Sequence, residues 1–462
     1  MTMQKRIAAV LVSIVTFLSC ICICCPAADA ITFTPDFSIS SKAAVLVNLD
    51  KDVIVYEKNA DVKMYPASLA KIVTAMVVFD HVPASEMEST TYEAPQIVFD
   101  ELYGMGASAV GLTKGEVTTV KDLLYSLLLK SACESAGILA YNVGNGSIPN
   151  FVSMMNDKAL EIGCTGTHFM NPHGLHDRNQ FTNAHDMAKI VKYAIDNYPE
   201  LTKIACTVDY QMQPTNVHGE GWAHIYHTNS MINPDSYEYY PYVKGFKTGT
   251  LDECGRNLTT LGSKDGNNYL LVTLGSPQTD ADGNTVYDHY EDHRKLYDWA
   301  FEKLEYRQIV EKGQEKGEVQ VRYGENSDYV ILVTGEPYSC IWNKDIDLSI
   351  LKGKAEKDIS KLNEDGTIDA PVKKDTKLGE YTVTINGEII TTIDLVAQQD
   401  VNLSEFNRTK SKAMNFFASG WFFAAAAISV VLIIAYIVVM LTLDSRRRKK
   451  RKVRRVRNRR DF

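Results

Sequence analysis

The sequence is poor in cysteine: nine in 462 residues, four of them (Cys20, Cys22, Cys24, Cys25) close to the N-terminus. The other five, Cys133, Cys164, Cys206, Cys254 and Cys340, are an odd number and form no CxxC pair. That pattern is neither a zinc site nor a disulfide framework; it implies no metal and at least one free thiol. Histidine supplies no metal site either, since His168, His176, His185, His224 and His227 lack an H-x-x-x-H spacing and read as loop or surface residues. Glycine (28) and proline (14) are too sparse for a collagen-like or low-complexity chain, and no internal repeat is present. No cofactor is implied. Basic charge is also short over most of the length. Of 49 Lys and Arg, twelve lie between Arg446 and Arg460 and two are Lys5 and Arg6, leaving 35 in the stretch Ile31 to Asn415 against 54 of the 57 acids. A body with net charge −19 offers no basic face for phosphates and argues against nucleic acid as a partner.

What the chain does have is most distinctive at its ends. Lys5 and Arg6, an apolar run from Ile7 to Cys25 and Ala28-Asp29-Ala30 read as a secretory signal peptide over residues 1–30, cleaved after Ala30. The alternatives are an uncleaved anchor and a lipoprotein signal at Cys20, which Phe17-Leu18-Ser19 fits poorly. Residues 416–443 carry no charge and are long enough to span a bilayer as a single transmembrane helix. The bases that follow, in a tail over 444–462, stay in the cytoplasm by the positive-inside rule, so the body is extracytoplasmic and the cell membrane is a partner through this helix.

Between the ends the pattern predicts an α+β domain over 31–305. Ala43 to Asn48 and Val53 to Glu57 form a hairpin, helices follow from Pro66, Val120, Asn150 and Thr182, strands return near Lys247, and Tyr290 to Leu304 closes as a helix. Helices then cover an antiparallel sheet. From 308 to 400, short alternating runs separated by charged turns predict a small all-β domain, and 401–415 reads as a polar linker.

Three short motifs carry chemistry. In Ser68-Leu69-Ala70-Lys71 the i and i+3 side chains share a helical face, so a lysine freed of its proton serves as base for a serine nucleophile. Ser131-Ala132-Cys133 offers a hydroxyl for proton relay, and Lys247-Thr248-Gly249-Thr250 opens a strand whose Lys and Thr suit a carboxylate. Singly, each has a plain reading: a chance match (Ser349-Ile350-Leu351-Lys352 repeats the first), a polar helix end, and a turn with an exposed lysine.

Together and in this order, the motifs resemble the low-molecular-mass penicillin-binding proteins, the secreted serine D-alanyl-D-alanine carboxypeptidases. Tyr65-Pro66-Ala67, Phe169 to Leu175 and Val243-Lys244-Gly245-Phe246 are similar to that family as well, and Asp369-Ala370-Pro371-Val372 to its C-terminal module. The resemblance implies a β-lactamase/transpeptidase-like domain and these roles. Ser68 takes up the penultimate D-Ala of a peptidoglycan stem peptide, Lys71 deprotonates it, and Ser131 passes a proton to the leaving amine with help from Lys247. Lys247 and Thr248 hold the terminal carboxylate, and the N–H groups of Ser68 and Thr250 hold the oxyanion, with Gly249 admitting the substrate. β-Lactams then trap Ser68. Cys133 departs from the family, most of which carries Asn there, and a thiol is the weaker hydrogen-bonding partner. The rival readings are a DD-transpeptidase and a non-catalytic peptidoglycan-binding scaffold.

Overall fold

The computed structural model describes residues 33–457; the expected signal peptide and the end of the basic tail lie outside the described residues. The chain forms two compact units. One runs to Arg307 and takes in Cys340–Asp347; the other comprises Gln308–Ser339 and the chain from Leu348 onward.

The first unit is built on a five-stranded antiparallel sheet in the order Val53–Lys58, Ala43–Asn48, Asn267–Ser276, Gly255–Lys264, Val243–Leu251. Side chains alternate across it with the strand period of two. Val45, Val47, Leu270, Val272 and Leu274 join the main core with the helix Ala184–Asn197, while Thr260 and Thr273 on the other face meet His293 of the helix Asp288–Lys303. That second helix lies close because Gly262 has no side chain: a Cβ there would come within 2.3 Å of the Tyr297 ring.

The remaining helices gather around Ala70–His81, which is buried continuously from Ala70 to Val78 and so is a central helix rather than an amphipathic surface one. The run predicted as one helix from Val120 is α-helical to Tyr125 and then widens into a π turn over Ser126–Lys130. Ser126 stands at the change: its Oγ bonds Leu123 O (3.0 Å) and Ser135 Oγ (2.7 Å), and its carbonyl accepts the Ala132 N–H. A further helix, Cys133–Val143, begins where the sequence suggested only a polar helix end. It is buried on nearly every side and so carries no helical periodicity to read.

In the second unit, six strands form one sheet in the order Lys352–Lys357, Lys377–Ile385, Glu388–Ala397, Tyr329–Thr334, Glu315–Arg322, Ile368–Asp369, around a small core of Val319, Val330, Leu332, Leu378 and Leu395. The segment read as a polar linker is instead largely helical, Glu405–Ala418, started by Ser404 accepting the Asn407 N–H (3.2 Å). Ser419 ends it and caps the next helix, Gly420–Arg457, whose stretch Gly420–Lys449 is long and apolar enough to cross a membrane.

Candidate active site

Ser68 sits in a 3-10 turn, Ala67–Leu69, that runs straight into the central helix. The turn is tight: Ala67 has φ +50°, and its carbonyl lies where a Cβ on Gly174 would be (1.9 Å). Asn257, on the neighbouring sheet, fixes the approach by donating from Nδ2 to the carbonyls of Tyr65 (2.9 Å) and Pro66 (3.1 Å). From the helix, Lys71 Nζ donates to Ser68 Oγ at 3.0 Å, reaches Cys133 Sγ at 3.4 Å, and bonds the carbonyl of His173. The segment around His173 therefore wraps the start of this helix: Pro172 O accepts from Thr74 Oγ1 (2.6 Å) one turn further on.

Ser131 follows the π turn in a left-handed conformation (φ +63°), and its Oγ is buried without a hydrogen-bond partner among the described residues. Cys133, two residues on, starts the next helix.

Lys247 lies on the edge strand Val243–Leu251, fully buried, with Nζ donating to Thr248 O at 3.1 Å. Thr248 Oγ1 pairs with Thr228 Oγ1 at 2.6 Å, and Thr250 is exposed along the open edge. Gly249 faces the Ser68 turn; a Cβ there would sit 3.1 Å from Ser68 N. The three motifs are thus gathered by direct contacts: Lys71 touches Ser68 and Cys133, and Gly249 packs against the Ser68 turn. The second Ser-x-x-Lys is different in kind, because Ser349 lies in a 3-10 turn and Lys352 in an exposed strand of the other unit.

Charge in this interior is unusual. Among the described residues no carboxylate forms an ion pair with Lys71 or Lys247, and burial pushes both ammoniums below their ordinary range. Lys71 lowers Lys247 further, whereas Cys133 pulls both lysines back up. His227, behind the edge strand, is held to about 3 by burial and by Lys247. A neutral amine at hydrogen-bond distance from a serine hydroxyl is the requirement for general-base activation. Sequence reasoning missed the His173 carbonyl, Asn257, Thr228 and Glu134, which reach the site only through tertiary contacts. The aromatic segment Tyr237 to Tyr242 serves packing at Tyr240, which is buried and donates to Asp298 (2.5 Å).

The comparisons with known proteins agree with this geometry. Residues 29–278 match the family model described as D-alanyl-D-alanine carboxypeptidase, and 304–403 match the C-terminal domain of penicillin-binding protein 5. The chain is 27% identical over 373 residues to the D-alanyl-D-alanine carboxypeptidase DacF of Bacillus subtilis, covering 81% of this chain and 89% of that one. Penicillin-binding protein 5 of Haemophilus influenzae superposes with a TM-score of 0.55 at 25% identity, covering 80% of this chain and 99% of the other. The DD-transpeptidase of Streptomyces K15 shares the fold, with a TM-score of 0.52 at 24% identity over 58% of this chain and 99% of its own. The chain belongs to the D-alanyl-D-alanine carboxypeptidase family.

Proposed function

We propose that this protein is a serine-type D-alanyl-D-alanine carboxypeptidase that trims the terminal D-Ala from peptidoglycan stem peptides. The observation that carries the reading is the fully buried Lys71 with its Nζ 3.0 Å from Ser68 Oγ. Lys71 takes the Ser68 proton, and Oγ attacks the penultimate D-Ala carbonyl. The N–H groups of Ser68 and Thr250 hold the oxyanion. The peptide C–N bond then breaks and the leaving amine takes its proton from Ser131, which regains one from the Lys71 ammonium, with Lys247 supporting the relay. Lys247 and Thr248 bind the terminal carboxylate, and Cys133 stands beside the substrate amide. Water finally attacks the ester and restores Ser68. A β-lactam enters by the same route and stays on Ser68. The long apolar helix, the one such helix among the described residues, spans the membrane, with the catalytic unit outside the cell membrane and the basic tail in the cytoplasm.

The test uses the full chain with labelled penicillin, then a D-Ala-D-Ala peptide with free D-Ala measured. Label on Ser68, absent in Ser68→Ala, together with D-Ala release is the expected result. Label without release points to an amine acceptor in place of water. No label on folded protein overturns the enzymatic reading.

A further inference from the structure

Glu134 is 3% exposed, in the first turn of the helix Cys133–Val143. Its Oε1 accepts the N–H groups of Val110 (2.7 Å) and Gly111 (3.0 Å), while the adjacent Cys133 N–H donates to Ser108 O (2.8 Å). Its Oε2 has no hydrogen-bond partner among the described residues. An acid in a first helical turn complements the helix dipole, yet an exposed one does so without desolvation. This carboxyl is buried, half-satisfied and electrostatically coupled to Lys71.

We propose that Glu134 is a positioning residue for the acylation step: it ties the segment 108–111 to the helix start that presses Cys133 against Lys71, and it sets a carboxylate behind that lysine. The proposal rests on the reading of Ser68 and Lys71 as nucleophile and base. The groups facing Lys71 are Ser68 from its own helix turn, Cys133 and Glu134 from the next helix, the His173 carbonyl and imidazole, and Lys247 from the edge strand. His173 in turn meets Glu101 at 3.4 Å. Within that set Glu134, the residue next to Cys133, carries the carboxyl whose charge favours the Lys71 ammonium. Burial raises its own carboxyl, and the Val110 and Gly111 N–H groups oppose that rise.

Two variants of the full chain separate the two parts. Glu134→Gln keeps an oxygen for Val110 and Gly111 but removes the charge; Glu134→Ala removes both. For each, acylation by labelled penicillin is followed against pH, and alkylation of Cys133 by iodoacetamide is followed by peptide mass spectrometry. In Glu134→Gln, Cys133 stays protected and the acid limb of the acylation profile moves to lower pH by about one unit, because Lys71 sheds its proton more easily. In Glu134→Ala, Cys133 is alkylated at least about tenfold faster through local opening, and acylation slows across the whole pH range. A Glu134→Gln profile that superimposes on the parent overturns the proposal, and so does a Cys133 still protected in Glu134→Ala. If the parent itself is not acylated, the function reading fails, while the alkylation readout still tests the tie between 108–111 and the helix.

Discussion

Lys71 is pulled two ways, since burial favours its neutral amine and the Cys133 thiol, 3.4 Å away, favours its charged form. Replacing Cys133 with a residue whose carboxamide does not ionise removes that coulombic pull. Cys133→Asn is therefore expected to acylate several-fold faster at neutral pH, on the order of 1 kcal/mol in the barrier; stopped-flow penicillin labelling that shows no gain counts against this role. Lys71→Arg puts there a cation that does not deprotonate, and acylation is expected to fall by roughly a hundredfold to ten-thousandfold with folding intact by circular dichroism. Ser68, Lys71, Ser131 and Lys247 were legible in the sequence because each lies in a short motif whose spacing survives in one dimension. Glu134 stands next to such a motif but was not legible, because its meaning depends on the N–H groups of Val110 and Gly111, more than twenty residues earlier.

Among the elements, the turn that carries Ser68 has little room to spare. Gly174 has φ +84° and its missing Cβ would fall 1.9 Å from the Ala67 carbonyl, so Gly174→Ala must displace either the turn or the 171–175 segment. Loss of penicillin labelling together with a lowered melting temperature is expected; a variant that labels at the parental rate removes this contact from the account. Strands and amphipathic helices were readable here: Ala43–Asn48 and Tyr329–Thr334 fall where alternation and β-branched residues put them, and Ala184–Asn197 starts at the Asn183 cap. The helix Cys133–Val143 was hidden by burial on all sides, and Glu405–Ala418 by its polar composition. In both, the period that identifies a helix was masked by the surroundings rather than absent from the backbone.

For the molecule as a whole, acid is the expected weakness. His227 and His289 are buried and held to about 3, the second by burial and Arg256, and His293 is shifted the same way. The unfolded chain binds these protons near pH 6.5. Between that value and about 3 it therefore holds more protons than the folded one, and stability falls as pH drops, by up to about 1.4 kcal/mol per unit for each histidine. Thermal unfolding midpoints that stay flat from pH 6.5 to 4 contradict this. At the other end of the chain, ending it at Ser404 is expected to move the protein from the membrane pellet to the supernatant, as read by carbonate extraction and immunoblot. The division into an α+β unit and an all-β unit was visible from the change in periodicity near residue 308, but the return of Cys340–Asp347 to the first unit was not, because no local pattern records a long-range contact. That return has a consequence in time. Trp342 packs edge-on against Phe33, at 5.7 Å between ring centroids, and the Lys344 N–H bonds Lys303 O at 2.8 Å. A nascent chain emerging at about 5–20 residues per second reaches Arg307 with Phe33 still lacking its Trp342 partner, so the first unit receives its last segment only after the strands Glu315–Arg322 and Tyr329–Thr334 have left the ribosome.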